Sequence, residues 1–182
     1  MEHLRISTES LQQAKDIINS GGVIIFPTET VYGIGTSVNS EGGVKRIYDL
    51  KIRPNEKQLQ VLISNIEQLN GLVDSIPNNA KPLIEKYWPG PLTIVFKKKG
   101  SGTVGIRMPN HQVPLEIIRD CGPIFATSAN ISGKNPPISA DDVDIDADLL
   151  LDDGPCLIKE ASTVVDATGE NLKILRQGSI KI

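Results

Sequence analysis

Cysteine and histidine are scarce in this sequence, which argues against chemistry that needs several of either. The two cysteines, Cys121 and Cys156, lie far apart, so the chain has neither a disulfide framework nor the paired spacing of a metal site. We expect both to be small buried apolar residues. The only histidines are His3 and His111, which argues against a zinc site and against a Ser-His-Asp triad.

Long apolar runs are also absent. No segment approaches the roughly 20 residues that a membrane-spanning helix needs, and residues 1–6 lack the apolar stretch of a signal peptide. We therefore expect a cytoplasmic protein that does not enter a membrane. The composition, with 39% hydrophobic and 23% charged residues, is that of an ordinary globular protein, and the length of 182 residues favours one domain over residues 1–182.

The usual nucleotide-binding fingerprints are incomplete. Gly33-Ile34-Gly35 is not followed by the third glycine of the dinucleotide motif. Gly133-Lys134 lacks both the earlier glycine of a Walker P-loop and the Ser or Thr that should follow the lysine. Any nucleotide that binds this chain must therefore be held in another way.

Charge is distributed unevenly along the chain, whose net charge is −3. Residues 141–153 contain seven aspartates and no lysine or arginine. The rest of the chain has 19 cations and 15 anions, hence a net charge of +4. This distribution is compatible with a local basic pocket but argues against a broad nucleic-acid-binding surface.

Hydrophobic periodicity predicts alternating helices and strands. Helices are expected near residues 7–18, 44–50, 82–88 and 113–121, strands near 23–26, 59–63, 92–96, 104–107, 123–126, 149–151, 163–165 and 172–175, and a loop at 27–35. Several strands follow one another without an intervening helix. The pattern therefore indicates an α/β domain on a twisted, mixed open sheet flanked by helices.

The most informative segment is Lys51-Ile52-Arg53-Pro54-Asn55-Glu56-Lys57, which has three cations within seven residues. Pro54 disfavours helical backbone at Arg53, so we expect a stiffened loop that brings positive groups to one anion. The spacing alone leaves open that this is a solvated basic loop.

Small polar residues follow two of the predicted buried strands. Residues 27–35 contain Thr30, and residues 126–133 contain Ser128 and Asn130. Ligands bind near the carboxyl ends of strands in open α/β sheets, so these loops and the cationic segment are predicted to form one site. For the loop at 27–35, a tight turn that needs positive φ is the alternative.

Two arginines are further candidates for that site. Arg107 and Arg176 each end an apolar, strand-like run. A buried arginine usually pairs with an anion, whereas an exposed position at a sheet edge is the alternative for both.

Six segments occur in an order that resembles a known family. They are Pro27-Thr28-Glu29-Thr30-Val31-Tyr32-Gly33, Lys51-x-Arg53-Pro54-x-x-Lys57, Trp88-Pro89-Gly90-Pro91-Leu92-Thr93, Arg107-Met108-Pro109, Ser128-Ala129-Asn130-x-Ser132-Gly133 and Ser162-Thr163-Val164-Val165-Asp166. Over about residues 21–178 the chain resembles the YrdC-like family, the threonylcarbamoyl-AMP synthases, in its short single-domain form. The resemblance implies a twisted sheet with a large concave basic cavity.

The resemblance also implies an activity. Members of this family are nucleotidyltransferases that form threonylcarbamoyl-AMP and pyrophosphate from L-threonine, bicarbonate and ATP, usually with Mg²⁺, as the first step of t6A modification of tRNA. The acceptor of the intermediate would be the tRNA t6A transferase complex. Weak binding of RNA by this chain is a further expectation.

Site residues are implied by position. The resemblance assigns Lys51, Arg53 and Lys57 to the ATP phosphates, with Lys51 and Arg53 as the catalytic pair, Asn130 and Arg176 to the nucleotide, and Thr30, Arg107, Ser128 and Ser162 to the threonine, whose carboxylate would pair with Arg107.

The sequence departs from the family pattern at Gln58, where a proline is common, and at Leu62, where histidine is common. Two alternatives therefore stay open. One is an RNA- or nucleotide-binding module of the same fold without this turnover. The other is a diverged relative that acts on another small substrate.

Overall fold

Ten strands form one mixed sheet in the computed structural model, which describes residues 1–54 and 56–182. The strands are β1 (Glu2–Arg5), β2 (Ile24–Phe26), β3 (Gly33–Ser37), β4 (Gln60–Leu62), β5 (Leu92–Lys97), β6 (Thr103–Arg107), β7 (Ile124–Ser128), β8 (Leu149–Asp152), β9 (Thr163–Asp166) and β10 (Lys173–Arg176). The helices are α1 (Thr8–Asn19), α2 (Glu41–Lys51), α3 (Lys81–Tyr87) and α4 (Gln112–Cys121), with 3₁₀ turns at Ile66–Gly71 and Ala140–Asp142. Asn55 of the predicted cationic loop lies outside the described residues.

The strand order is β1-β8-β2-β3-β7-β4-β6-β5-β9-β10. Strand pairs β1–β8, β2–β8, β4–β6 and β5–β9 are parallel, and the other neighbours are antiparallel. The predicted mixed sheet is therefore confirmed. None of the helices in residues 1–54 and 56–182 has both the length and the apolarity to cross a bilayer.

The helices cover the two faces of the sheet unequally. On one face, α1 and α4 pack against β2, β7 and β8, for example through Ile18 and Ile117. On the other face, α2 packs over β2, β3 and β8, and α3 packs over β5, β6 and β9. The first face is therefore left without a helix over β6, β5, β9 and the Gln60 end of β4, whose other end, Leu62, packs beside α4.

Local sequence signals account for the helix boundaries. Ser7 caps α1, since its hydroxyl accepts from the Ser10 backbone N–H while the Ser10 hydroxyl accepts from the Ser7 backbone N–H. Helix α2 ends at Lys51, and Ile52 takes a left-handed conformation with φ of 49°. Lys51 therefore belongs to a helix and not to the loop in which the sequence analysis placed it.

Two strands were missed. Strand β1 is short and largely exposed, so the hydrophobic pattern carried no signal for it. Strand β3 begins inside the predicted loop at 27–35, so Gly33 and Gly35 lie in a strand and neither in a ligand-binding loop nor in a tight turn. A Cβ at these positions would lie 3.3 and 3.1 Å from the Phe26 ring, so these glycines allow close packing within the sheet.

The cysteines differ in environment. Cys156 is buried as predicted, with 4% of its surface exposed, and burial raises its pKa to about 11. Cys121 is only half-buried at the end of α4. The expectation that both are buried is therefore wrong for Cys121.

Adjacent glycines in the first turn of α2 provide a test of the packing. A Cβ on Gly42 would meet no atom within 4 Å, whereas a Cβ on Gly43 would collide with the Thr36 hydroxyl and lie 2.9 Å from the Gly21 carbonyl oxygen. We expect Gly42→Ala to raise the free energy of unfolding by about 0.5–1 kcal/mol. Gly43→Ala should lower it by about 1–3 kcal/mol. Urea unfolding midpoints measure both, and equal effects of the two changes would contradict this packing.

Candidate active site

A concave cavity of about 480 Å³ opens on the uncovered part of the sheet. Its floor consists of alternate residues of neighbouring strands, which point to the same face: Gln60, Thr93, Val95, Thr103, Gly105, Arg107, Ala126, Ser128, Ser162 and Val164. The continuation of this face under α1 and α4 is apolar, with Leu62 and Ile124 in the core. The same face of the sheet thus forms a hydrophobic core where α1 and α4 cover it and a polar cavity where no helix covers it.

Three arginines line the cavity. Arg53 follows α2, Arg107 ends β6 and Arg176 ends β10. Among the described lining residues, Glu56 is the only carboxylate. The excess of positive charge suits a carboxylate or phosphate ligand, because guanidinium groups bind both in a bidentate manner.

Arg107 is held from behind by a buried carboxylate. Its Nη2 lies 2.8 Å from Glu29 Oε1, and its Nε donates to the Gly90 carbonyl oxygen at 3.1 Å. Arg107 and Glu29 are 3% and 6% exposed. The hydrogen bond to Gly90 orients the guanidinium, and the Glu29 carboxylate balances its charge, although Nη2 and the Glu29 oxygens have no partner with hydrogen-bond geometry among residues 1–54 and 56–182.

A chain of hydrogen bonds crosses the floor from the edge strand inward. Arg176 donates to Ser162, from Nε to the carbonyl oxygen at 3.0 Å and from Nη2 to the hydroxyl at 3.1 Å. The hydroxyls of Ser162 and Thr93 are 2.9 Å apart, and Thr93 donates to Gln60 Oε1 at 2.9 Å. Although β10 is an exposed edge strand, these contacts direct Arg176 into the cavity.

Lys51 connects the end of α2 to the loop after β7. Its side chain is 1% exposed, and Nζ donates to the carbonyl oxygens of Ser128 and Asn130, each at 2.5 Å. The Ser132 backbone N–H donates to the Lys51 carbonyl oxygen at 2.8 Å. Burial, followed by repulsion from Arg53, lowers the pKa of Lys51 to about 8. Lys51 thus orders the loop that carries the predicted ligand-binding residues.

The cationic segment is ordered partly by its own backbone. Arg53 donates from Nε to the Lys57 carbonyl oxygen at 2.8 Å and from Nη2 to the Gln58 carbonyl oxygen at 2.9 Å. The Lys57 side chain is exposed and lies outside the cavity lining. Of the three cations, only Arg53 reaches the lining.

Thr30 and Asn130 also lie just outside the lining. Thr30 is fully buried, and its hydroxyl is 2.8 Å from the Thr28 hydroxyl. Asn130 Nδ2 donates to the carbonyl oxygens of Ile131 and Lys134, whereas its buried Oδ1 has no partner among residues 1–54 and 56–182.

The structure therefore brings five of the nine predicted site residues into one cavity wall: Arg53, Arg107, Ser128, Ser162 and Arg176. Lys51, Lys57, Thr30 and Asn130 lie around it. Leu62, at the position where histidine is common, is buried with 2% exposure in the core beside α4.

Sequence reasoning missed three residues of the site. Glu29 stands in the sequence as a single carboxylate within the first motif, and its contact in the structure is with Arg107. Thr93 was noted only as part of a motif. Gln60 was overlooked, although a single glutamine inside the apolar run Leu59–Ile63 is a signal that could have revealed it.

Residues 16–178 match the family model of Sua5, YciO and YrdC, whose description is "Telomere recombination". The chain belongs to the Sua5/YciO/YrdC family. All residues that line the cavity, from Val31 to Arg176, fall within the matched segment.

Two threonylcarbamoyl-AMP synthases are similar to this chain over nearly its whole length. Threonylcarbamoyl-AMP synthase of Bacillus subtilis is 38% identical over 98% of this chain and 56% of its own length. The synthase of Pyrococcus abyssi is 39% identical over 98% of this chain and 56% of its own length. This chain thus spans a little over half the length of these relatives.

Solved structures confirm the fold class. The crystal structure of P. abyssi Sua5 complexed with L-threonine matches with a TM-score of 0.89 and 38% identity, over 97% of this chain and 57% of that chain. Escherichia coli YciO matches with a TM-score of 0.84 over 97% of this chain and 94% of that chain. At 22% identity, the likeness to YciO concerns the fold alone.

The buried ion pair behind the cavity can be tested through stability. We expect Glu29→Ala to lower the free energy of unfolding by about 3–5 kcal/mol, because it leaves the Arg107 charge buried without its partner. Lys134→Ala is the control, since Lys134 is 58% exposed in its ion pair with Asp144 and should contribute less than about 1 kcal/mol. Urea unfolding measures both, and a Glu29→Ala loss as small as the control would contradict the buried pair.

Proposed function

We propose that this chain catalyses the formation of threonylcarbamoyl-AMP and pyrophosphate from L-threonine, bicarbonate and ATP, a nucleotidyl transfer that begins t6A modification of tRNA. The observation that carries the proposal is the arginine-lined cavity, which lies wholly within the segment shared with the named synthases. Its charge and hydroxyl groups suit a ligand that has a carboxylate at one end and phosphates at the other.

The amino acid would bind at the Arg107 end. The guanidinium of Arg107, fixed by Glu29 and Gly90, would pair with the threonine carboxylate. Ser128 and Ser162 offer hydroxyl groups on the same cavity wall. Thr30 would help to seat the threonine from the buried loop that also carries Glu29.

The nucleotide would bind between the cationic segment and the edge strand. Arg53 would contact the phosphates directly, with Lys57 completing the positive charge at the mouth of the cavity. Lys51 lies behind the lining with 1% exposure and two of its donors on carbonyl oxygens, so its charge would face the phosphates from behind the loop after β7. Asn130 and Arg176 would contact the nucleotide.

The chemistry requires no protein nucleophile. The threonine amine and bicarbonate form a carbamate with loss of water. A carbamate oxygen then attacks the α-phosphorus in line, an O–P bond forms, and the bond to pyrophosphate breaks. The protein contributes by aligning the two substrates and by neutralising the charge on the phosphates.

Mg²⁺ fits this arrangement as an ion that arrives with ATP. Within residues 1–54 and 56–182, no group of three or more His, Cys, Asp and Glu could hold a metal ion. Glu56 beside Arg53 is the carboxylate in the lining, and Mg²⁺ is usually held by one or two carboxylates together with substrate phosphates. When bound, the ion would offset phosphate charge.

The product would pass to the tRNA t6A transferase complex. We propose that residues 1–182 act as one domain in this step, since β1 and β10 belong to the same sheet. Because the cavity suits small anions, RNA would bind this chain only weakly.

Purified protein incubated with ATP, L-threonine and bicarbonate should release pyrophosphate only when all three are present. Arg53→Ala should lower kcat/KM by at least about tenfold, because it removes a charged contact to the phosphates. Arg119→Ala, the same change at an exposed position of α4, should leave the rate unchanged.

Pyrophosphate release that does not depend on threonine would overturn the synthase assignment and favour a diverged relative with another substrate. Steeply salt-dependent RNA binding without turnover would favour a binding module. An unaffected Arg53→Ala variant would contradict the phosphate role of this residue.

The pH dependence of kcat/KM for ATP should report the loss of charge on Lys51. Its pKa of about 8 means that the side chain is charged below that pH and loses its charge as the pH rises through it. We expect kcat/KM for ATP to fall above about pH 8, since this parameter reports groups of the free enzyme. Lys51→Arg keeps the charge, so its profile should lack this fall even if its rate is lower. Substrate ionisations are common to both proteins, and an unchanged profile would contradict the role of Lys51.

A further inference from the structure

Gln60 is a cavity residue to which neither the motifs nor the proposed reaction gives a role. It lies on β4 in the floor of the cavity, and it also lines a small inner recess that contains Arg107, Ser128 and Thr28 but not Arg53. Gln60 thus shares with Arg107 a recess that the Arg53 side chain does not line.

The hydrogen-bond chain across the floor has a fixed direction. A guanidinium can only donate, so the Ser162 hydroxyl oxygen accepts from Arg176. Thr93 gives its single proton to Gln60 Oε1, so the Ser162 hydroxyl must donate to Thr93. The chain therefore ends on the carbonyl oxygen of the Gln60 side chain.

This direction determines which group Gln60 presents to a ligand. Oε1 is already occupied by Thr93. Nε2, which can only donate, has no hydrogen-bond partner in the part of the chain that the structure describes. Gln60 lines the cavity, so the group that its amide has left for a ligand there is the Nε2 donor and not the Oε1 acceptor.

A bare position on the intervening strand makes the contact possible. Strand β6 lies between β4 and β5, and Gly105 is its residue beneath the Gln60 side chain. A Cβ at Gly105 would lie 3.3 Å from Thr93 Cγ2 and 3.8 Å from Gln60 Cβ. Without that Cβ, the amide crosses β6 and reaches Thr93.

We propose that Gln60 Nε2 donates a hydrogen bond to a carboxylate or carbamate oxygen of the amino acid that Arg107 binds, and that the Arg176–Ser162–Thr93 chain orients it. A donor next to an arginine selects an acceptor oxygen and disfavours an ammonium group. This inference rests on the proposed function, because it takes the amino-acid end of that reaction to lie at Arg107.

Three variants test the inference, with L-threonine and ATP each titrated separately in a calorimeter. Gln60→Met keeps the length of the side chain without its polar atoms, and should weaken threonine binding by roughly tenfold. Gln60→Glu still accepts from Thr93 but presents a carboxylate oxygen instead of a donor, and should weaken it by more. Affinity for ATP should change less than twofold in Gln60→Met.

Two further variants separate orientation from mere presence. Thr93→Val has the same shape but cannot donate to Oε1, so the amide is free to rotate, and threonine affinity should fall by a smaller factor than in Gln60→Met. Gln112→Glu makes the same charge change as Gln60→Glu at an exposed position in the first turn of α4, and should leave threonine affinity unchanged.

The outcomes distinguish this inference from the proposed function. If the native protein binds L-threonine and Gln60→Met binds it equally well, or if Gln60→Glu binds it more tightly, the inference is wrong. If the native protein releases no pyrophosphate but Gln60→Met still weakens threonine binding selectively, the proposed function fails and the inference stands. A native protein that does not bind L-threonine overturns the inference.

Discussion

The alternation of side chains along a strand is the constraint on which this structure depends. The neighbouring strands β7, β4, β6, β5 and β9 each direct every second residue to the same face of the sheet. Only part of that face lies under a helix. Beneath α4 these side chains are shielded from solvent and are apolar, as Leu62 and Ile124 show. Beyond the helices, the same register presents Gln60, Thr93 and Ser162 to an open cavity. The cavity is therefore formed by the same sheet face that builds the hydrophobic core beneath α1 and α4.

Two buried cations of this site are each stabilised by oxygen atoms of the protein that contact them. Burying the Arg107 charge without Glu29 would lower the free energy of unfolding. The same holds for burying the Lys51 charge without the two carbonyl oxygens that it contacts. Each contact satisfies one side of a cation and so determines where that cation points. In the proposed reaction these groups meet the substrates already aligned, so little reorganisation is needed when the charge moves.

Much of the fold follows from local patterns. The periodicity of α1 and α4, the apolar runs of β2, β5 and β8, and the strand-to-strand steps together indicate a mixed α/β sheet. Strand β3 does not follow, because Gly33 and Gly35 have the same local signature in a tight turn as in a strand that packs closely on Phe26. Strand β1 does not follow either, since its stability comes from pairing with β8, which is distant in the sequence.

The sequence alone determined the family, the mixed sheet and most of the residues around the cavity, because ordered motifs and hydrophobic periods are properties of neighbouring residues. Only the tertiary structure decided which of those residues share a wall. Lys51 and Arg53 are two positions apart, yet one supports a loop and the other lines the cavity, since α2 ends between them. Glu29, between β2 and β3, meets Arg107 of β6, and Gln60 of β4 meets Thr93 of β5, so both contacts join segments that are far apart in the chain. Such contacts depend on strand order and register, which no local pattern specifies.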